Sequence, residues 1–243
     1  MGNLTNKLKL LRQFFKYESG TPERQRVLFL LLHEMEQKSF KQCYKTYVKS
    51  DVKKNHVEIV KRLYDMDYLK TLPKDTLGYC FYEYHSKSSG IDLINLGVET
   101  LLGKGGSSRS DEFLKYLTAL HDLTHVVNGY RLSRTGEMLT IWFQSFQDQR
   151  KAFAWLTYYS ILIFAKRFRF HPRLLWMMFR WLRESKRHAN QSTKFLVADW
   201  INLIEKPITE VREQLNLPRA SSYLDDTDKI KRTINNSALH SAL

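Results

Sequence analysis

The sequence predicts an all-α protein built as a single domain of about seven or eight helices. Glycine and proline account for only 10 and 5 of the 243 residues, too few for the many tight turns of a β-sandwich or a propeller. Apolar residues recur at helical spacing through most of the chain. Hydrophobic residues make up 43% of the sequence, enough to bury a sizeable core. The two cysteines, Cys43 and Cys80, are too few for a disulfide framework or an all-cysteine zinc site.

Capping and breaking residues mark the boundaries of the helices. The triplet Thr21-Pro22-Glu23 supplies an N-cap, a proline at the first helical position and an acid in the first turn, which is typical of a helix start. The helices predicted after this first one span residues 51–69, 76–84, 110–129, 135–167, 173–187, 193–204 and 207–217. We expect one domain over residues 1–218, followed by a polar tail over 219–243, where the apolar pattern fades.

The charge balance indicates an anionic partner. Lysine and arginine number 39 against 25 aspartates and glutamates, which gives a formal net charge of +14. Such a charge attracts nucleic acid or an anionic membrane surface. The sequence carries no zinc-finger, RNP or P-loop motif, so we expect no nucleic-acid partner. The longest apolar stretch, Ala152–Ala165, is shorter than the roughly 20 residues that a membrane-spanning helix needs, so membrane association would be peripheral.

One short motif contains the side chains of a metal site. His121 and His125 are one helical turn apart, so both imidazoles lie on one face of a helix and can reach one ion. Asp122, rotated by about 100° from His121, is either a ligand or a hydrogen-bonding support for a histidine. Glu137 follows a bend at Gly129, and with the histidines it suits zinc, iron(II) or manganese. The alternative interpretation is a core histidine beside a surface histidine, with no metal.

The motif and its flanks resemble a known family. His121, Asp122 and His125, followed after eleven residues by Glu137, match the HDxxH-x11-E signature of the ubiquinone-biosynthesis protein family that is numbered fourth in the coenzyme Q pathway. Two flanking segments resemble the family's LPxxTLG segment and its C-terminal W…P…R…L…P pattern, namely residues 72–78 and 199–218. Together these pieces span most of the chain, in the order that the family has them.

The resemblance implies an all-helical, membrane-associated protein with a metal at His121, Asp122, His125 and Glu137, zinc first and iron or manganese as alternatives. Family members are associated with replacing the C1 carboxylate of a prenylated benzoquinone precursor by a hydroxyl, and with organising the biosynthetic complex. The implied partners are this precursor or another isoprenoid lipid, the membrane surface, other quinone-biosynthesis proteins and a second copy of the chain. The short N-terminal segment lacks an obvious transit peptide, which favours a bacterial, cytoplasmic protein at the membrane; a eukaryotic one would lie at the mitochondrial inner membrane.

A basic and aromatic stretch over residues 166–187 contains eight basic residues and one acid, Glu184. Bulky apolar residues beside lysine and arginine are typical of a helix that lies in a membrane interface. The residues predicted to meet lipid are Arg169, Arg173, Trp176, Arg180 and Trp181. The alternatives are an ordinary core helix with a solvated basic face, and a nucleic-acid surface with stacking aromatics.

Three functions are therefore compared. The first is a metal-dependent enzyme of quinone metabolism, in which the ion binds the precursor's carboxylate and stabilises the charge that develops as carbon dioxide leaves; with iron, oxygen would supply the hydroxyl. The second is a non-catalytic scaffold that binds prenyl lipids. The third is an HD-type phosphohydrolase, which needs a further histidine, His56 or His85, and a further aspartate, Asp148 or Asp199, beside the His-Asp pair.

Overall fold

A computed structural model describes residues 22–50, 55–87, 109–167 and 169–233, with a few isolated positions before residue 22. The described chain is all-α and contains no β-strand, as the sequence predicts. Its helices are α1 (Pro22–Lys49), α2 (His56–Leu63), α3 (Met66–Thr71), α4 (Leu77–Lys87), α5 (Arg109–Asn128), α6 (Arg134–Gln147), α7 (Lys151–Arg167), α8 (Pro172–Gln191), α9 (Trp200–Leu203), α10 (Ile208–Gln214) and α11 (Ser221–Thr233). None of these helices is both long and apolar enough to cross a bilayer.

The structure divides the chain into more helices than the sequence pattern does. The stretch predicted as one helix over 51–69 contains α2 and α3, because Asp65 starts a new helix by accepting a hydrogen bond from the backbone N–H of Tyr68. The stretch predicted over 135–167 contains α6 and α7. Gln149 lies between them with a φ of 54°, and a right-handed helix cannot continue through that conformation.

The core is centred on α5 and α6. α5 packs against α2, α4 and α6, while α6 also packs against α7 and α8. Leu123 and Val127 on α5 are fully buried, as are Leu139 and Phe143 on α6. Each such side chain contributes about 1.5–3 kcal/mol by leaving water. The two central helices are thus held firmly, and so are the side chains they carry on their remaining faces.

The segment that begins α4 is joined to the C-terminal part of the chain by backbone hydrogen bonds. The N–H of Leu77 donates to the carbonyl of Lys206 at 2.9 Å, and the N–H of Gly78 donates to that of Ile204 at 2.8 Å. The two flanking segments noted in the sequence are therefore neighbours in space.

The C-terminal stretch differs from the expectation of a polar tail. Residues 221–233 form α11, and Tyr223 on this helix is 1% exposed. Its ring packs edge-on against Trp181 of α8, with 5.5 Å between the centroids. The packing of α11 relies on Tyr223 and Leu224 and on polar groups such as Asp226 and Thr227, so apolar residues alone do not mark this helix in the sequence. Residues 234–243 lie outside the described ranges.

Candidate metal centre

Helix α5 presents two histidines on one face. His121 and His125 lie one turn apart, with 5.0 Å between their ring centroids. The His125 side chain is fully buried, whereas that of His121 is 25% exposed. The pair is therefore open to solvent on the His121 side and closed on the His125 side.

A sharp turn after α5 returns the chain to this pair. Gly129 has a φ of +78°, in the left-handed region that favours glycine at the end of a helix. Ser133 caps α6, its hydroxyl oxygen accepting from the N–H of Gly136 at 3.1 Å. A Cβ at residue 136 would lie 1.9 Å from the carbonyl oxygen of Arg131, so this turn requires glycine there. Glu137 follows immediately, in the first turn of α6.

Three donor side chains converge at this point. Oε2 of Glu137 lies 3.3 Å from Nε2 of His121, and Oε1 lies 3.2 Å from Nε2 of His125. One donor atom from each residue lies within 4.8 Å of the other two. Nε2 of His125 is buried, and the partner described for it is the Glu137 carboxylate at 3.2 Å, without hydrogen-bond geometry. Two imidazoles and a carboxylate form a donor set that suits zinc, and an ion bound there would satisfy this nitrogen.

The outer nitrogens of both rings are held by the protein. Nδ1 of His125 lies 3.1 Å from the carbonyl oxygen of Tyr130, and Nδ1 of His121 lies 3.1 Å from Oε1 of Gln144. Because both partners are acceptors, each ring keeps a proton on Nδ1, so that Nε2 is the nitrogen that can bind an ion once it is deprotonated. Sequence reasoning missed Gln144. Its available signal is the seven-residue spacing from Glu137, which places both on one face of α6.

The donors are also coupled electrostatically. Burial alone would lower the pKa of His121, but its hydrogen bond to Glu137 and the charges of Glu137 and Asp122 raise that pKa to about 9. Burial alone would raise the pKa of Glu137, yet His125 and His121 hold it well below its usual range. Without an ion, the site at neutral pH therefore contains a protonated His121 beside an ionised Glu137, and a metal ion has to displace that proton.

Asp122, the fourth predicted ligand, faces another set of residues. Its Oδ2 accepts a hydrogen bond from the hydroxyl of Tyr64 at 3.1 Å and lies 3.4 Å from Nε2 of His85. Among the described residues it is not part of the donor group that contains His121 and His125. An adjacent His-Asp pair converging on one ion, which an HD-type phosphohydrolase needs, is therefore not formed in the described part of the chain.

Glu137 is the most solvent-exposed donor of the candidate centre. Its side chain is 44% exposed. Behind the pair, the ring of Tyr84 lies 5.3 Å from that of His125. Burial, with a smaller contribution from Asp122 and Glu137, raises the pKa of Tyr84 well above its usual range, so its hydroxyl stays protonated.

The residues predicted to meet lipid separate into two groups. Three of them are exposed on the surface, namely Arg169, Arg173 and Trp176. The structure corrects the assignment of Trp181, which is 1% exposed and donates from its indole Nε1 to Asp226 at 2.9 Å. Trp181 lies on the side of α8 that faces the core, whereas Trp176 lies on the opposite side. Arg180 is half-buried and pairs with the same Asp226 carboxylate.

Comparison with known proteins identifies a solved structure with the same fold. No protein-family model matches the chain, and no curated protein sequence matches it significantly. A crystal structure described as a "putative ubiquinone biosynthesis protein" from Nostoc punctiforme resembles this structure with a TM-score of 0.59. The two chains are 17% identical, and the match covers 88% of this chain and 98% of that one. The similarity establishes a shared fold.

Proposed function

We propose that the protein is a metal-dependent enzyme of ubiquinone or related prenyl-quinone biosynthesis, which replaces the C1 carboxylate of a prenylated benzoquinone precursor by a hydroxyl. The observation that carries the proposal is the convergence of His121, His125 and Glu137, which each bring one possible ligand atom within 4.8 Å of the other two. The sequence signature around this site and the biosynthetic description of a protein with the same fold support it.

In this proposal His121, His125 and Glu137 hold the ion, zinc first and iron or manganese as alternatives. When bound, the ion supplies Lewis acidity toward the carboxylate and the adjacent phenol oxygen of the precursor. The chain contributes orientation: the carbonyl of Tyr130 and the side chain of Gln144 fix the two imidazole rings. Glu137, the most exposed donor, marks the side on which the aromatic ring enters.

The proposed reaction is a two-electron oxidation of the substrate. The bond between the ring and its carboxyl group breaks, carbon dioxide leaves, and a carbon–oxygen bond forms at the same carbon. Dioxygen balances the reaction if one of its atoms enters the ring and the other leaves as water, with two electrons and two protons from a reductant. Dioxygen and a two-electron donor are therefore part of the proposal.

Metal content per chain, measured by elemental mass spectrometry on protein purified without chelator, tests the site. We expect near-stoichiometric zinc, iron or manganese, and its loss in His125→Gln and in Glu137→Gln. His188→Gln is the matched control, because His188 is also fully buried but lies outside the donor group. Wild-type protein that stays metal-free after reloading, or variants that keep the metal, would overturn the assignment.

Turnover tests the reaction. The purified protein is given a carboxylated, prenylated precursor, dioxygen and a reductant, and mass spectrometry follows the hydroxylated product. We expect product from the wild type and none from Glu137→Gln. If prenyl lipid co-purifies with the metal-loaded protein but no product forms, the protein is the non-catalytic scaffold instead.

A further inference from the structure

Large apolar side chains are exposed in one part of the molecule. The described residues include eleven such side chains, and seven of them lie between residues 155 and 179. Isolated exposed hydrophobic residues are ordinary, but a concentration of this kind marks an interaction surface. We call these seven residues the apolar surface: Trp155, Tyr158, Leu162, Ile163, Phe170, Trp176 and Phe179.

Helix α7 is apolar on two opposite sides. Phe153 and Thr157 are buried on its inner side. The helix also packs against α6 and α1, through residues that include Tyr158 and Tyr159. On its outer side Trp155 and Leu162 are each 68% exposed, with Tyr158 between them on the same face. A helix that is apolar all round is normally enclosed on every side. We therefore expect the outer face of α7 to contact an apolar environment.

The apolar surface continues through the turn into α8. Phe170 in the turn is 77% exposed, and Trp176 and Phe179 on α8 are 61% and 57% exposed. The opposite side of this part of α8 is firmly packed, since Met177 and Met178 are buried in the core. The exposed rings thus project from a helix whose position is fixed.

Positive charge surrounds these apolar side chains. No aspartate or glutamate occurs between residues 151 and 183. The cations beside the apolar surface and further along α8 are Lys166, Arg169, Arg173, Arg180, Arg183, Lys186 and Arg187. The last four, together with Glu184, help to line an open groove of about 820 Å³ along the second half of α8. The guanidinium of Arg180 also lies 4.9 Å from the centroid of the Trp176 ring, so the basic and apolar parts are contiguous.

We propose that the apolar surface and the adjoining cations bind the face of a bilayer that contains anionic lipid. Aliphatic and aromatic side chains enter the boundary between headgroups and acyl chains, tryptophan rings lie at the headgroup level, and arginines bind lipid phosphates. A second copy of the chain fits less well, because a two-fold interface would place like charges against each other. Nucleic acid fits less well, because Leu162 and Ile163 offer no ring on which a base can stack.

This surface is adjacent to the helix that carries Glu137. Tyr158 of α7 contacts Trp142 of α6, with 5.6 Å between the ring centroids. Membrane binding does not depend on the proposed metal chemistry. It places the candidate metal centre one helix away from the bilayer, where a substrate with a prenyl chain resides.

Co-sedimentation with lipid vesicles tests the proposal. Vesicles of phosphatidylcholine alone are compared with vesicles of equal parts phosphatidylcholine and phosphatidylglycerol. We expect binding to the mixed vesicles to be at least about tenfold stronger and to weaken as salt is added. The variants are Leu162→Ser with Trp176→Ser for the apolar part, Arg169→Gln with Arg173→Gln for the charges, and Val57→Ser with Leu132→Ser as a control.

The control removes two apolar side chains that are 52% and 43% exposed outside the apolar surface. It should bind as the wild type does, while the apolar variant should lose about tenfold or more on mixed vesicles. The charge variant should lose a similar factor on mixed vesicles. Circular dichroism shows whether each variant is folded, and its metal content reports separately on the proposed function.

Two results would overturn the membrane proposal: wild-type protein that does not bind the mixed vesicles, and an apolar variant that binds them as strongly as the control. A dimer in light scattering that the Leu162→Ser, Trp176→Ser variant converts to a monomer, without vesicle binding by the wild type, would assign the apolar surface to a second copy of the chain.

Discussion

His121 and Glu137 are 16 residues apart in the sequence, and their side chains meet with 3.3 Å between Nε2 and Oε2. The contact depends on the turn between α5 and α6, in which Gly129 leaves the helical conformation and Ser133 starts the next helix. Gly136 then allows the chain to pass close to its own backbone. The geometry of this turn sets the geometry of the donor group.

Replacement of Gly136 by alanine should destabilise the protein and displace Glu137. The added Cβ would lie 1.9 Å from the carbonyl oxygen of Arg131, so the turn has to move. We expect the free energy of unfolding to fall by about 1–3 kcal/mol, with loss of bound metal. Ser133→Ala, which removes the cap without adding an atom, should cost about 1 kcal/mol. Denaturant titration measures both changes. A Gly136→Ala variant as stable as the wild type would contradict the described turn.

Metal affinity should rise with pH. In the absence of an ion the pKa of His121 is raised to about 9, so below that pH the metal competes with a proton. The apparent affinity should increase about tenfold per pH unit and level off above about pH 9. Competition with a chelating dye measures it between about pH 6.5 and 8.5. The same affinity throughout this range would mean that His121 is not protonated in the metal-free site.

Gln144 and Gln147, both buried on α6, should respond differently to replacement by leucine. The hydrogen bond described for the side chain of Gln144 is the one with the ring of His121. Gln144→Leu should therefore lower metal affinity by about 10–100-fold. Gln147 donates to the carbonyl of Ala189 at 2.8 Å and accepts from the N–H of Phe195 at 2.9 Å. Gln147→Leu should therefore cost about 1–3 kcal/mol of stability while the folded protein keeps its metal affinity. Unchanged metal affinity in Gln144→Leu would remove its assigned role.

Trp181→Phe should affect stability and leave vesicle binding unchanged. The substitution removes the indole N–H that donates to Asp226, whose own exposure is 8%. Leaving this carboxylate with one donor fewer should cost about 1–3 kcal/mol. Trp176→Phe is the comparison on the exposed side of the same helix and should leave stability nearly unchanged. Thermal unfolding measures the stability of each variant, and vesicle sedimentation measures its membrane binding. If Trp181→Phe, and not Trp176→Phe, reduced vesicle binding, the result would contradict the structure.

Long helices with clear boundaries could be predicted from the sequence. The start of α1 at Pro22 and the span of α5 follow from capping residues and apolar spacing. The helix predicted over residues 207–217 is confirmed as α10, whereas α3 and α9 could not be recognised as separate helices, because they contain 6 and 4 residues, fewer than two turns. Recognition of α11 required the folded partners of Tyr223, which come from distant parts of the chain.

In the candidate site, too, the features set by local spacing could be predicted, and those set by contacts between distant residues could not. The spacing of His121 and His125 fixes a common helix face, so their proximity could be predicted. The environment of Asp122 could not, because the hydroxyl that binds it belongs to Tyr64, which lies 58 positions away. The composition of α7 likewise shows an apolar helix, but only the packing shows which of its sides is left uncovered.

The candidate metal centre is assembled from a short, continuous piece of chain. Its donors and the groups that orient them all lie between His121 and Gln144. Contacts between residues close in sequence cost little loop entropy and form early in folding. The α5–α6 hairpin can acquire its ligand arrangement before a distant segment such as α11 docks. We therefore expect an ion added during refolding to bind a partly folded chain, and to speed folding as well as raise the final stability.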